Sequence, residues 1–522
     1  MRIRNSQFTG QRSGKDRISL ISNLKFQIVP LILALVVSAA YAADARPPAV
    51  AGQFYPTDPA KLRLAIEQFL KGSTPIRMEK PIAIIVPHAG YIYSGQICAD
   101  AYRQVAGHQY DTVVILGVNH TAAGFHGISL GDYDAFQTPL GAVQVDRGIV
   151  GRLISGNQDC VRDRRVHVQE HSIEVQIPFI QYLFPKARIV PAVIHPPDPD
   201  ICARFGLTLA KVLRNRKALI VVSSDLSHYP DYGDAADIDR LTLETIASLD
   251  TTRISSVMKN LGVPNLATRA CGEAGILAGI TAAKELGAKR AVVAGYANSG
   301  DIPVGDRSRT VGYGAVVLAP GNAPGSTAIL ARRTPPLKAA PLQVQEKKAL
   351  LALARETILC YLTTQTVPLA RNLPARMDFP QGAFVTLRKG GDLRGCIGHI
   401  APDIELGKTV GMVAFESAFN DSRFLPVQLN EMKDIEIEIS VMTPLKPIRT
   451  PDEIVIGRDG ILMSKDGVSS IFLPQVAPEN KWGKTETLDN LCRKASLSLG
   501  CWKKGAAFQI FQADVFSESQ FK

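Results

Sequence analysis

The stretch Ile82-Ala83-Ile84-Ile85-Val86-Pro87-His88-Ala89-Gly90 decides the fold. Its apolar run, rich in β-branched residues and closed by proline, predicts a strand buried on both faces. A histidine just past such a strand stands where the loops of a parallel sheet converge. The pattern recurs: Thr112 to Leu116 leads to Val118-Asn119-His120, and Ala218 to Val222 leads to Ser223-Ser224-Asp225-Leu226-Ser227-His228. Arg188 to Ile194, Arg290 to Gly295 and Thr310 to Leu318 read as further strands. Amphipathic helices are expected at Lys61 to Leu70, Gly95 to Val105, His171 to Phe184, Asp200 to Leu213, Ala235 to Leu249 and Gly272 to Leu286. Strands alternating with helices predict an α/β first domain, with a mostly parallel sheet flanked by helices.

The rest of the chain is organised around this unit. Its 522 residues, 46% apolar and 20% charged, suit two or three globular domains and exclude fibrous and disordered classes. The net charge of +11 is concentrated in residues 1–42 and 321–342, and neither large segment is strongly basic. A nucleic-acid partner is therefore not expected, because phosphate binding needs clustered Lys and Arg on a folded surface. Residues 1–42 read as a signal peptide: a basic stretch to Lys25, an apolar run from Phe26 to Val37, and Ala40-Tyr41-Ala42 as the cleavage site. The expectation is a periplasmic or secreted protein with no stable membrane span after cleavage, or a cytoplasmic one if translation starts downstream.

The Pro-rich residues 320–343 read as a linker, between a first domain over 43–319 and a second over 344–522. The second domain opens with a helix, Glu346 to Leu362. It continues in strands such as Gly382 to Leu387, Ile435 to Val441, and Ile461 to Met463 paired with Ser469 to Leu473 across Asp466-Gly467, an α+β pattern. The eight cysteines show no Cys-x-x-Cys spacing and no iron–sulfur cluster motif; the closest pair is Cys492 and Cys501.

Eight of the nine histidines precede the linker, so metal chemistry is expected in the first domain. His88 and His120, at matching strand ends, and Cys271, at the start of a helix where thiolate is favoured, are candidate ligands. The bland alternatives are a hydrogen-bonded core histidine and a buried small cysteine. Asp225 and His228 read as a carboxylate–imidazole pair for proton transfer, or Asp225 as a helix cap. Glu170 and His171 open a helix whose Ile173, Ile177 and Ile180 mark an apolar face. His108, His126, His167 and His195 read as surface or loop residues.

Across residues 46–319 the sequence resembles the Memo family, whose fold is similar to the class III extradiol dioxygenases. The resemblance rests on Ala49 to Pro56, Pro87 to Gly95, Gly117 to His120, Glu170 to Pro178, Ser223 to His228 and Tyr296 to Gly300. It implies His88, His120 and Cys271 as metal ligands, with Asp225 and His228 beside them. The implied metal is iron, with copper or zinc as alternatives.

Residues 345–520 resemble the AMMECR family through Leu393-Arg394-Gly395-Cys396-Ile397-Gly398, Phe419 to Phe424 and Pro474 to Glu479. Arg394 and Cys396 are candidates for a binding or catalytic surface, or members of a tight turn. The fusion is similar to the AmmeMemoRadiSam grouping, which implies a separate radical SAM protein as partner. Together these readings imply dioxygenase-like or other redox chemistry on a small aromatic or peptide substrate, with His228, Asp225 and His171 as catalytic groups. The alternatives are a metal-carrier or peptide-binding module and a zinc hydrolase. An oxygen-activating iron site commonly uses two histidines and a carboxylate, whereas the third ligand expected here is sulfur.

Overall fold

The computed structural model describes residues 44–73, 78–321 and 340–521. Residues 1–42, read as a signal peptide, and most of the Pro-rich segment lie outside the described residues.

The first domain is built on an eight-stranded sheet. Its order is Arg290–Asn298, Gly312–Ala319, Ala83–Val86, Ala218–Ser223, Thr112–Val118, Arg188–His195, Gly127–Ser129 and Cys160–Val161. The four strands from Ala83–Val86 to Arg188–His195 are parallel. Antiparallel pairing joins further strands at both sides, so the sheet is mixed. The central runs have almost no exposed surface: Val113, Val114, Ile115 and Leu116 are all at 0%. Each such side chain contributes roughly 1.5–3 kcal/mol on burial, which leaves polar chemistry to the strand ends.

One element departs from the periodicity. The helix expected over His171 to Phe184 is two short helices, His171–Glu174 and Ile177–Leu183. Pro178 lies in the first turn of the second; it cannot donate to the carbonyl of Glu174, and its ring would clash there in a continuous helix. The break leaves Glu170 and His171 on a separate turn.

The second domain contains two antiparallel four-stranded sheets. One runs Asp392–His399, Ala383–Lys389, Ile435–Met442, Ala513–Ser517; the other runs Lys446–Ile448, Ala507–Phe511, Gly460–Lys465, Val468–Phe472. The helices Val344–Thr364 and Leu406–Phe419 cover one face of the first sheet, where Val385, Leu387, Ile437 and Ile439 enter the core. Its other face packs toward the second sheet through Phe384, Met442 and Ile471. Asp466 and Gly467 both take positive φ (50° and 80°), the turn that closes the Gly460–Lys465 and Val468–Phe472 hairpin. A disulfide joins Cys492 to Cys501.

The domains are in contact. Arg371 donates to both carboxylate oxygens of Asp100 (2.7 and 2.9 Å) and to Gly72 O (2.8 Å). Lys408 reaches Asp301 (2.9 Å), Glu405 (3.0 Å) and the Tyr232 hydroxyl (2.8 Å). Burial works against the Lys408 charge, but Asp301, Tyr232 and Glu405 outweigh it and hold the ammonium above its usual pKa. Between these pairs Ile92, Tyr93 and Ile302 pack against Tyr361, Phe415 and Phe419. Among the described residues, no helix is long and apolar enough to cross a membrane.

Candidate metal centre

The ends of the parallel strands bring three imidazoles together. His88 follows Ala83–Val86, His120 follows Thr112–Val118, and His171 opens the short helix packed across the latter strand. Gly117 permits that packing, since a Cβ there would lie 2.7 Å from both Ile173 Cγ1 and Ser172 Oγ. One ring nitrogen from each of His88, His120 and His171 lies within 4.8 Å of the others. The rings of His120 and His171 stack at 4.6 Å, and His88 stands edge-on to both.

Hydrogen bonds fix which nitrogen is free. Ser223 Oγ gives its only proton to Ser172 O (2.6 Å), so towards His88 Nδ1 (3.0 Å) it accepts. His88 therefore carries its proton on Nδ1 and presents a bare Nε2. His120 Nδ1 faces Glu170 Oε1 at 3.0 Å and must donate to the carboxylate, so in the neutral ring it is Nε2 that is bare. Such outer partners are how proteins orient imidazole ligands.

Glu170 is the organising carboxylate. It is 1% exposed and accepts from His120 N (2.7 Å) and Ser172 N (2.8 Å) as well as from the His120 ring. Burial works to raise its pKa, but His120 and these N–H groups bring it down to about 2. Burial would also lower His120, and the bond and charge of Glu170 outweigh it, so His120 sits above the usual value. His88 is lowered to about 4 by burial, against the opposing charge of Asp225, and is neutral at pH 7. Burial lowers His171 as well.

A second buried network holds the Glu170 turn in place. Arg46, at 0% exposure, donates to Glu170 O (2.7 Å) and to the Glu174 carboxylate (2.6 Å), and its Nε donates to His167 O (2.5 Å). Glu174 also accepts from Ala49 N, Val50 N and the Tyr55 hydroxyl. The N-terminal arm is thus pinned behind the imidazoles. The sequence reading passed over Arg46, although an arginine just ahead of the Ala49 to Pro56 motif was visible.

Several expectations need correction. The third member of the group that could hold a metal ion is His171, read earlier as a catalytic group, and Cys271 is not in that group. Cys271 remains adjacent: its Sγ is 3.3 Å from His88 Nε2, in a loop that Gly272 allows to press against Ser223 and Ser224. The thiolate expected at this helix start is not favoured, because burial and the Asp225 charge push the thiol up. Asp225 does not orient His228. Its Oδ1 accepts from His88 N (2.7 Å) and Ala89 N (3.3 Å), and its Oδ2 lies 3.9 Å from His88 Nε2. His228 Nδ1 donates instead to Leu226 O (2.9 Å), because its main chain is fixed by pairing with Thr268 and Val311. His167, read as a surface residue, is 1% exposed, with Nε2 against Ser129. In the second domain, Arg394 and Cys396 lie on the strand Asp392–His399, not in a turn. Gly395 serves close approach there, since a Cβ would meet Ser417 O at 2.2 Å. Arg394 pairs with Glu431 (3.0 Å).

The ends of the strands of this α/β domain thus gather three histidines that could hold a metal ion. Comparison with known proteins gives the family. The model described as Memo-like protein matches residues 46–317, and the AMMECR1 model matches residues 351–516. The chain belongs to the Memo family and carries an AMMECR1 domain behind the Memo domain. It is 40% identical over 283 residues to a MEMO1 family protein of Sulfolobus acidocaldarius, covering 51% of this chain and 97% of that one. A MEMO1 family protein of Aquifex aeolicus is 38% identical over 271 residues, covering 51% and 97%. Among solved structures, an uncharacterized protein of Pyrococcus horikoshii is 34% identical, covering 34% of this chain and 93% of that one, with a TM-score of 0.33.

Proposed function

We propose that the first domain holds a redox-active transition-metal ion on His88, His120 and His171, with iron first and copper second. The domain then performs dioxygenase-like or other redox chemistry on a small aromatic or peptide substrate. The observation that carries this reading is the meeting of three ring nitrogens within 4.8 Å. Imidazoles suit iron, copper and zinc alike, and Cys271 Sγ beside His88 is a soft donor within reach of the same ion.

When bound, such an ion would supply one-electron chemistry and polarise a substrate oxygen. The chain's own residues do the rest. Glu170 and Ser223 hold His120 and His88 in the ligating tautomer, and Asp225 fixes the His88 backbone. His228, with its proton held on Nδ1 by Leu226 O, has Nε2 available to take a substrate proton. A likeness to extradiol dioxygenases agrees with this division of roles. Export is supported by the Cys492–Cys501 disulfide, a bond typical of oxidising compartments. A radical SAM protein is proposed as the partner of the whole chain on the resemblance alone.

Three histidines are also a catalytic zinc set, which favours a hydrolase as the second reading. Metal analysis after anaerobic purification of wild type, His171→Ala and Cys271→Ser separates the two. Stoichiometric iron or copper in wild type, lost in His171→Ala, supports the redox reading. Zinc at full occupancy supports hydrolysis, and no bound metal refutes both.

A further inference from the structure

The segment that carries His228 is not held by the first domain alone. His228 to Tyr232 runs antiparallel to Arg307 to Gly312. Gly312 N donates to Ser227 O (2.9 Å), Tyr229 N to Thr310 O (2.7 Å), Thr310 N to Pro230 O (2.9 Å) and Tyr232 N to Arg307 O (2.9 Å). Tyr229 takes a φ of 78°, a left-handed conformation that a tyrosine keeps only where its surroundings impose it. His228 is the residue before it, so whatever holds this pair of segments also holds the imidazole.

The far end of the pair is tied to the second domain. Lys408, in the first turn of the helix Leu406–Phe419, donates to the Tyr232 hydroxyl (2.8 Å) and to Glu405 (3.0 Å), and its ammonium lies 2.9 Å from Asp301 Oδ1. The Tyr232 hydroxyl gives its own proton to the same Asp301 oxygen (2.7 Å), and the other Asp301 oxygen accepts from Asn298 N (2.8 Å). Asp301 has a side chain only 14% exposed, and its ion-pair partner among the described residues is Lys408. Arg307 lies 3.6 Å from the Tyr232 ring centre and 3.5 Å from Glu405. Both segments therefore end on groups that Lys408 and Glu405 hold.

The helix that presents Lys408 is in turn fixed by the motifs of its own domain. Ser417 Oγ accepts from Ile397 N (2.8 Å) and donates to Val385 O (2.8 Å), with Gly395 pressed against Ser417 O. Phe419, which opens the stretch Phe419 to Phe424, packs with Phe415 against Ile92, Tyr93 and Ile302 of the first domain.

We propose that the second domain is the positioning element for the first domain's proton acceptor, with Lys408 as the residue that latches the His228 segment. The inference rests on His228 acting as the base of the proposed function. Docking of the domains and proton transfer at His228 are then coupled. Undocking takes the shared cation from Tyr232 and Asp301, lets Tyr229 leave its left-handed conformation, and moves the imidazole.

The test is hydrogen exchange of the metal-free full-length chain in wild type, Lys408→Met, Tyr232→Phe and Arg371→Met. The last breaks the same domain interface elsewhere, at Asp100. Loss of charge-assisted bonds at the latch should speed exchange over 228–232 and 307–312 by about tenfold in Lys408→Met, with 92–100 within about twofold of wild type. Tyr232→Phe should open the same segments to a smaller degree; it removes one oxygen and carries the test if Lys408→Met does not fold. Arg371→Met should loosen 92–100 and leave 228–232 as in wild type. Acylation of His228 by diethyl pyrocarbonate, read by mass spectrometry against His108, should rise about threefold in Lys408→Met and not in Arg371→Met. Exchange over 228–232 that neither latch variant changes, or that Arg371→Met raises equally, would overturn the proposal, as would a His228 acylation rate that no variant alters. The assay contains no metal, so a protein that binds no ion would refute the metal reading and leave the latch standing, whereas unchanged exchange would refute the latch alone.

Discussion

Replacing Glu170 with glutamine tests how the metal centre is organised. The carboxylate accepts from His120 N, Ser172 N and the His120 ring at 2.7–3.0 Å. An amide has one acceptor oxygen, so its NH2 must face either the His120 backbone N–H or the His120 ring. In the first case a charge-assisted bond becomes a donor–donor conflict. In the second the ring accepts at Nδ1, and its proton moves to Nε2, the nitrogen needed for ligation.

The magnitude follows from two directions. A folded pKa near 2 against the usual 4.5 means the ionised form is favoured by about 3 kcal/mol in the folded chain. That stability is present above pH 4.5 and is lost as pH falls through 2. Glu170→Gln should therefore cost about 2–3 kcal/mol at pH 7 in the metal-free protein, read by urea denaturation. Loss of an outer partner typically weakens metal binding 10- to 100-fold, read by competition with a chelator. If Glu170→Gln binds metal within twofold of wild type and unfolds within about 0.5 kcal/mol of it, the carboxylate does not organise the site.

Three further outcomes are expected. Arg46→Met leaves Glu174 buried without its cation and should cost about 3–5 kcal/mol; a midpoint of urea denaturation close to wild type would contradict the clamp. His167 is lowered to about 4 by burial, so between pH 6.5 and 4 the unfolded chain binds a proton that the folded chain refuses. Stability from this group is full above pH 6.5 and falls by about 3 kcal/mol as pH drops towards 4, a loss that His167→Gln should remove from the pH profile. Arg371→Met leaves Asp100 without its partner from the second domain and should cost about 3–5 kcal/mol; faster hydrogen exchange around 92–100 than in wild type checks that the loss lies at the interface.

The sequence carried the strands and the polar residues beyond them, because an unbroken β-branched run followed by histidine has few other meanings. His88 and His120 were readable on that ground. His171 was visible as a helix opener, but its approach to the other two depends on the break at Pro178, whose effect the apolar spacing of Ile173, Ile177 and Ile180 concealed. The partner of each polar group was not readable. Asp225 and His228 are three residues apart, yet main-chain pairing turns one towards His88 and the other towards Leu226. Arg46 and His167 were missed because burial of a polar side chain is decided by what packs over it, which periodicity does not report. In the second domain, two glycines around Cys396 suggested a turn, whereas Gly395 answers to the close passage of the helix Leu406–Phe419.

The most direct measurement is X-ray absorption at the metal edge of full-length protein purified without oxygen, beside His171→Ala. The account predicts one ion per chain with a nitrogen shell near about 2 Å, imidazole scattering from three rings in the wild type, and one ring fewer or no bound ion in the variant. A wild-type spectrum with two imidazoles that is unchanged in His171→Ala, or a protein that binds no ion at all, would contradict it.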